Sequence, residues 1–161
     1  MTIMNGYAMS TAMTPGGSGP VLFAYDGTDL AGNAITEAGG QLRAGRDALV
    51  LTIWEPFNVG FVPVGGLAFD AAGADEVRTA AEKTAAHGAS LAEAAGFQAQ
   101  SMAAEAAPIW KGIIEAVDKH DASLIVLGSH GRNGLTGHVV GSVAAAVAAH
   151  SRRSVLIVHR R

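Results

Sequence analysis

The sequence predicts an α/β fold: a single domain with a doubly wound, five-stranded parallel sheet and helices on both faces. Four short runs are almost continuously apolar, as are strands that lie buried in a parallel sheet, and a fifth run, Phe97–Ala103, is partly apolar. Segments with helical spacing separate these runs, and such an alternation is typical of parallel strands joined by right-handed crossovers. With 161 residues, the chain has room for one substantial core and not for a second full domain.

The first part of the chain predicts two strands and a helix. Val21–Tyr25 is apolar and leads into Asp26-Gly27-Thr28, a pattern typical of a strand that runs into a loop and a helix cap. In the helix that follows, apolar residues recur every four positions, although Gly39 and Gly40 are expected to weaken its last turns. These apolar positions are Leu30, Ala34, Ala38 and Leu42. Ala48–Trp54 predicts the second strand.

Residues 55–73 predict a long apolar loop. The segment carries two prolines, several glycines and three phenylalanines, and it has no stable period. Leaving so many apolar side chains in water would be costly. The loop therefore covers a ligand, packs against a second subunit or folds back on its own domain, and the sequence does not choose among these alternatives.

The longest helix is predicted over Ala74–Ala95, where small or apolar residues follow a regular 4-3-4-3-4 spacing. Gly96 then serves as a C-cap, and Phe97–Ala103 predicts the third strand. Pro108 is expected at the first position of the next helix. The buried side of that helix is predicted to hold Ile109, Ile113, Ile114 and Val117.

The last part of the chain predicts a strand, a glycine-rich loop, a helix and a final strand. Ser123–Leu127 and Ser154–Val158 are the two strands, and Val139–His150 has a helical pattern. Between them, residues 128–142 read GSHGRNGLTGHVVGS. Ligands of parallel sheets bind at the carboxyl ends of the strands, where the strand order reverses. Asp26 and Gly128 are expected to lie there.

Charge is distributed unevenly along the chain. Residues 1–121 hold six Lys and Arg and all fourteen Asp and Glu, whereas residues 122–161 hold five Arg and no acidic residue. A positive field around the glycine-rich loop favours an anionic ligand. The alternative is that these arginines only keep the C-terminus in solution.

Composition also limits the compartment and the partners. Without cysteine there are no disulfides and no thiolate metal sites or nucleophiles, which favours a cytoplasmic protein. Residues 1–19 lack the pattern of a signal peptide, so we expect a disordered leader or an artificial extension before a domain over residues 20–161. No apolar run is long enough to cross a membrane. Trp54 and Trp110 are not interleaved with basic residues, so we expect no nucleic-acid partner.

The glycine-rich loop is suited to binding phosphate. Glycines let backbone N–H groups approach phosphate oxygens and permit positive φ. The helix after the loop adds free N–H groups and the positive end of its dipole. The dinucleotide pattern GxGxxG and the Walker pattern GxxxxGK[ST] are both absent. The loop instead has the spacing G-2x-G-9x-G-[ST], formed by Gly128, Gly131 and Gly141-Ser142.

This spacing closely resembles the nucleotide-binding signature of the universal stress protein family. VLFAYDGT resembles the family's first strand and its aspartate, and VVGSVAAAVAAHSRRSVLIVHR resembles its closing helix and strand. The resemblance covers about residues 20–160 and implies the Rossmann-like fold of that family. It also implies a homodimer that pairs through the last strand and binds ATP, or AMP or ADP, whose phosphates can carry Mg²⁺.

The resemblance assigns roles to individual positions of this chain. Asp26 would contact the adenine or ribose region, and Ala24 and Leu127 would line that pocket. Gly128 and Gly131 would let the chain pass close to ribose and phosphates. The phosphates would meet Gly141, Ser142 and Val143, and Arg132 neutralises phosphate or points to solvent. Ser123 departs from the family pattern, which commonly has aspartate there.

Simpler interpretations stay open for several of these residues. Asp26 could be only a turn or capping aspartate, and Ser142 could be a helix cap, a role compatible with phosphate binding. His130 and His138 do not have the spacing of a chelating pair, so we predict no metal held by the protein. Magnesium would be held mainly by the nucleotide and water.

Three functions follow from the sequence. The first is a nucleotide-binding module of the universal stress protein family, whose bound state other proteins sense. The second is a slow ATP hydrolase, for which the sequence offers Arg132, His130 and Mg²⁺ but no evident catalytic base. The third is an interaction protein that does not bind nucleotide. The retained glycine signature disfavours this third function.

Overall fold

The computed structural model describes residues 19–55, 71–131 and 140–159. Within these residues strands and helices alternate along the chain. In chain order they are β1 Val21–Ala24, α1 Asp29–Gln41, β2 Asp47–Trp54, α2 Ala71–Ala94, β3 Gln98–Glu105, α3 Ile109–Lys119, β4 Leu124–Gly128, α4 Ser142–His150 and β5 Ser154–Val158.

The strands form one sheet in the order β3-β2-β1-β4-β5, and every neighbouring pair is parallel. Strand β1 lies in the middle of the sheet, the chain proceeds from it to one edge through β2 and β3, and it then crosses to β4 and β5 on the other side. This arrangement confirms the predicted doubly wound five-stranded fold. The order reverses between β1 and β4, where the carboxyl ends of adjacent strands leave a crevice.

Helices cover both faces of the sheet, and each face has its own core. On one face, α1 and α2 pack over Val21, Phe23 and Val50. On the other, α3 and α4 pack over Leu22, Leu51 and Ile125. Alternate residues of each strand point to opposite faces, so continuous apolar runs supply both cores at once.

Several boundaries differ from the predicted ones. Helix α2 begins at Ala71 rather than Ala74, so the predicted loop at 55–73 ends three residues earlier; residues 56–70 lie outside the described part of the chain. Strand β3 extends to Glu105 because it pairs with β2 along its whole length, from Gln98 to Glu105. This pairing between distant segments leaves no mark in the sequence of β3 itself.

Two helix starts also need correction. Pro108 is the N-cap of α3 and not its first helical residue. Helix α4 begins at Ser142 and not at Val139, since Gly141 is the N-cap with φ −61° and ψ 158°. Val139 itself lies outside the described residues. The apolar pattern before Gly141 had suggested a longer helix, but Val140 is not helical.

Glycine inside α1 is explained by close packing between helices. A Cβ on Gly39 would lie 2.7 Å from the carbonyl oxygen of Ala95, so α1 and the end of α2 approach more closely than a side chain would permit. The helix continues to Gln41 despite Gly39 and Gly40, because packing outweighs the low helix propensity of glycine. The predicted C-cap Gly96 has φ +97°, which suits glycine.

Ser123, which departs from the pattern of the resembled family, ties the start of the domain to β2 and β4 at the end of the sheet opposite the crevice. Its hydroxyl donates to the carbonyl oxygen of Gly19 (2.8 Å) and accepts from the guanidinium of Arg46 (2.7 Å). Its backbone N–H donates to Pro20 (3.0 Å). Ser123 therefore lies before the first residue of β4, at the opposite end of that strand from the crevice.

Candidate functional site

A cleft of about 1040 Å³ opens where β1 and β4 end. It is slightly larger than the range of about 300–1,000 Å³ that is usual for small-molecule sites. The residues assigned to a nucleotide from the sequence line it from three sides. They are Ala24 at the end of β1 and Asp26 just after it, Leu127, Gly128 and Gly131 around the end of β4, and Gly141, Ser142 and Val143 at the start of α4. Arg132 and His138 lie outside the described residues.

Asp26 is half-buried and uses its two carboxylate oxygens differently. Oδ1 accepts hydrogen bonds from the backbone N–H of Thr28 (3.0 Å) and from its hydroxyl (2.6 Å). Thr28, in turn, caps α1 by accepting from the N–H of Ala31 (3.3 Å). Asp26 is therefore a turn residue and Thr28 is the cap. Oδ2 lies on the other side, 3.0 Å from the position that a Cβ on Gly131 would occupy.

The three glycines of the signature have no positive φ; among the described residues, glycine adopts positive φ at Gly27, Gly45 and Gly96. The lack of space for a side chain explains why glycine is needed at the signature positions. A Cβ would lie 2.9 Å from Leu30 Cγ at Gly128 and 2.9 Å from the carbonyl oxygen of Ser129 at Gly141. The signature therefore reflects close approach of the segments that enclose the cleft, and not an unusual backbone conformation.

The start of α4 presents backbone donors to the cleft. Gly141 is its N-cap and has no side chain to satisfy the first N–H groups, and Ser142 is the first helical residue, so the interpretation of Ser142 as the cap is wrong. The hydroxyl of Ser142 is exposed. The N–H groups of Ser142, Val143 and Ala144 have no acceptor within the helix, and the helix dipole adds partial positive charge there.

Ser129 joins β4, β5 and α4, although no local pattern in the sequence distinguishes this residue. It is 1% exposed. Its N–H donates to the carbonyl oxygen of Val158 (2.8 Å), and its own carbonyl oxygen accepts from the N–H of Gly141 (2.6 Å). These bonds tie Ser129, which follows β4, to β5 and to Gly141 at the start of α4.

Apolar residues complete the wall of the cleft, and sequence reasoning missed them. They come from the end of β2 and from the facing sides of α2 and α3, and they include Leu51, Ile53, Val77, Ala81, Ile109 and Ile113. The sequence patterns assign each of these residues to a strand or to a helix face, and the structure confirms these assignments. Nothing in those local patterns indicates that three separate elements meet at one crevice.

Tyr25 links the cleft to α2. Its hydroxyl lies 2.8 Å from Nδ1 of His87, and the hydroxyl of Thr52 donates to its carbonyl oxygen (2.8 Å). Burial raises the pKa of Tyr25 above its ordinary value, and the charges of Asp26 and Asp29 raise it further. The phenol therefore stays neutral and holds α2 against the end of β1.

The described residues contain no group of three or more His, Asp or Glu side chains placed to hold a metal ion. Helices long and apolar enough to cross a membrane are likewise missing from the described part of the chain. The cleft offers the carboxylates of Asp26 and Glu55, the imidazole of His130, an apolar wall and a set of backbone donors. This combination suits a ligand with hydroxyl groups, a flat apolar part and a negative charge.

Comparison with known families gives a match over almost the whole domain. A model of the universal stress protein family matches residues 18–159. The matched region includes β1, the glycine signature and β5, and therefore every residue assigned to the candidate site.

Solved structures with the same fold include proteins bound to adenine nucleotides. The hypothetical protein MJ0577 is 19% identical, with a TM-score of 0.74 over 89% of this chain and 97% of its own. A universal stress protein in complex with cAMP is 25% identical, with a TM-score of 0.63 over 89% and 98%. The universal stress protein from Archaeoglobus fulgidus in complex with dAMP is 22% identical, with a TM-score of 0.58 over 86% and 95%.

Proposed function

The chain belongs to the universal stress protein family, and from this premise we propose that it is a nucleotide-binding module that takes ATP or another adenine nucleotide in the cleft. Residues 20–161 form its one domain in this proposal, and the protein is cytoplasmic. The observation that carries it is the convergence of Asp26, Gly131 and the start of α4 on a single cleft. Two structures of this fold contain cAMP and dAMP.

The geometry suggests how the ligand is divided among the walls. A ribose presents hydroxyl groups, and a carboxylate that already anchors a turn is a rigid acceptor for them. Asp26 therefore receives the ribose or the adjoining edge of adenine. The apolar wall formed by Leu127, Ala24 and the end of β2 receives the flat base. Phosphates extend towards Gly141, Ser142 and Val143, whose N–H groups need acceptors.

The biological action proposed here is signalling by occupancy. Bound nucleotide satisfies donors on α4 and contacts Asp26 after β1, so it joins segments from both sides of the switch point. Other proteins would sense this liganded state in a stress response. Any Mg²⁺ is held mainly by the nucleotide and water, because phosphate oxygens and water are its usual ligands in such sites.

Asp26 provides the direct test of this site. We expect Asp26→Asn to lower the affinity for ATP and for adenosine by about tenfold or more, since it removes the charge and replaces a carboxylate oxygen with a donor. Asparagine keeps one oxygen that can accept from Thr28, so the turn persists. Titration calorimetry with ATP, ADP, AMP and adenosine measures the change.

Asp29→Asn is the matched control for that substitution. Asp29 is exposed in the first turn of α1, three residues from Asp26, and it undergoes the same change of charge. The control should bind ATP as the unsubstituted protein does. Equal binding by Asp26→Asn and the unsubstituted protein would remove Asp26 from the site, and no binding by either would contradict the proposed function.

The proposal includes a homodimer formed through β5. This strand lies at one edge of the sheet and pairs with β4 on its inner side. Val155, Leu156, Ile157 and Val158 are only partly buried there. An edge strand with unpaired N–H and C=O groups and apolar side chains favours pairing with another strand.

We expect the purified protein to sediment as a dimer of about twice the 16.3 kDa chain mass at micromolar concentration. Sedimentation equilibrium over a hundredfold range of concentration provides the measurement. Substitution of Leu156 by lysine should shift the equilibrium towards monomer, because it places a charge in the proposed interface. A monomer at all concentrations would contradict this part of the proposal.

A further inference from the structure

His130 lies in the wall of the cleft, and its two ring nitrogens have different surroundings. Nδ1 is 3.0 Å from the hydroxyl oxygen of Ser129. Nε2 is buried and has no hydrogen-bond partner among the described residues. Because a buried polar atom without a partner is costly, native proteins rarely keep one unless it serves a ligand, water or ion.

The ring stands next to the start of α4. A Cβ on Gly141 would lie 3.8 Å from Cδ2 of His130, the ring carbon bonded to Nε2. The backbone beneath the ring is fixed, because Ser129 is bonded to Val158 on one side and to Gly141 on the other. The Cδ2 edge of the ring, which is bonded to Nε2, therefore lies against Gly141, the N-cap of α4.

The contact between the Ser129 hydroxyl and Nδ1 permits either tautomer of the neutral ring, since a hydroxyl can donate or accept. When the serine hydroxyl donates to Nδ1, the neutral imidazole bears its hydrogen on Nε2. Nε2 is then a donor that needs an acceptor. The neighbouring N–H groups at the start of α4 are donors as well, so an anion at this point would satisfy all of them together.

We propose that His130 recognises phosphate: its Nε2–H donates to a phosphate oxygen of the ligand, alongside the backbone N–H groups of Ser142 and Val143. The inference rests on the proposed function and deepens it, because it assigns the phosphate part of the ligand to a particular side chain. It separates His130 from Asp26, which contacts the nucleoside part. His130 should thus matter for ATP and not for adenosine.

Two amide substitutions separate this role from a structural one. In His130→Gln the terminal amide reaches about as far as Nε2, whereas in His130→Asn it reaches about as far as Nδ1 and can still bond to Ser129. Calorimetric titration of the full chain with ATP and with adenosine gives four affinities for the two variants. Thermal unfolding of each variant establishes that it is folded.

For His130→Asn we expect ATP to bind about tenfold more weakly, because a hydrogen bond to a charged oxygen is lost, and adenosine to bind unchanged. For His130→Gln we expect ATP affinity within about threefold of the unsubstituted protein, because the donor is retained at nearly the same reach. Retained ATP affinity in His130→Asn would overturn the inference. An equal loss of affinity for ATP and for adenosine in either variant would also overturn the inference. Such a loss would indicate that the bond between His130 and Ser129 positions the whole site.

Titration of the unsubstituted protein with ATP and adenosine distinguishes failure of the inference about His130 from failure of the proposed function. If it binds both ATP and adenosine, the variants decide the role of His130 alone. If it binds neither, the nucleotide site itself is contradicted, and the inference about His130 is overturned with it.

Discussion

Substitution of Gly141 by valine is expected to weaken ATP binding by at least about 100-fold, equivalent to about 2.7 kcal/mol. A Cβ at this position would lie 2.9 Å from the carbonyl oxygen of Ser129 and 3.4 Å from Cα of His130. Both contacts are with backbone atoms, which cannot turn aside. The start of α4 must therefore move away from β4, and the N–H groups of Ser142 and Val143 move with it.

The effect on ATP affinity comes from the displacement that overpacking forces on the start of α4. Inserting a side chain into a filled space typically costs about 1–3 kcal/mol. The hydrogen bond from Gly141 N–H to Ser129 is also strained by the displacement. Titration calorimetry with ATP provides the measurement, and Gly141→Ala should show a smaller loss in the same direction.

Gly40→Val is the matched control. Gly40 is an exposed residue of α1, and apart from its own helix backbone and chain neighbours no atom lies within 4 Å of the position that its Cβ would occupy. Valine has a slightly higher helix propensity than glycine, so the control should be as stable as the unsubstituted protein or slightly more stable. ATP affinity should not change. Tight ATP binding by Gly141→Val would show that α4 does not face the phosphates.

Local patterns predicted most of the fold. Each strand and helix was predicted from periodicity and from cap or turn residues, and β5 has the predicted bounds, Ser154–Val158. These signals are local because a strand buried on both faces must be apolar throughout its length. The end of β3 at Glu105 was missed for the opposite reason, since β3 is an edge strand whose extent depends on its pairing with β2.

The candidate site was only partly predictable. Its polar residues follow β1 and β4, and a parallel sheet must bring such residues to one edge. The reason for the signature glycines was not predictable: Gly141 is needed because Ser129 passes close to it, and this contact joins two ends of a loop. Nor could the sequence indicate that Ser129, a single polar residue, would be buried and bonded to Val158.

Substitution of Phe23 by alanine should have the largest effect on stability, a loss of about 4 kcal/mol in the free energy of unfolding. Phe23 is 1% exposed and packs edge-to-face against Phe97, with ring centroids 5.2 Å apart and an angle of 70°. Much of the surrounding core is alanine. Alanine side chains cannot swing into a cavity, so only movement of helix backbones could fill it.

The alanine-rich composition of the core favours a large loss in the free energy of unfolding for Phe23→Ala. Aromatic residues are 6% of the chain, and small side chains allow α1 and α2 to approach the sheet closely. Such a core has little capacity to relax, which favours the upper half of the 3–5 kcal/mol range that is typical for Phe→Ala. Urea unfolding at one fixed protein concentration measures the loss, because a dimer would make stability depend on concentration.

Phe23→Leu separates the loss of volume from the loss of the ring. Leucine fills most of the space, so we expect it to cost about 1.5 kcal/mol. It should also leave ATP affinity unchanged, since β1 still delivers Asp26 to the same turn. A loss below about 2 kcal/mol for Phe23→Ala would mean that α1 and α2 do collapse onto the sheet. In that case ATP affinity should fall as well, because Asp26 and the Thr28 cap of α1 would move together.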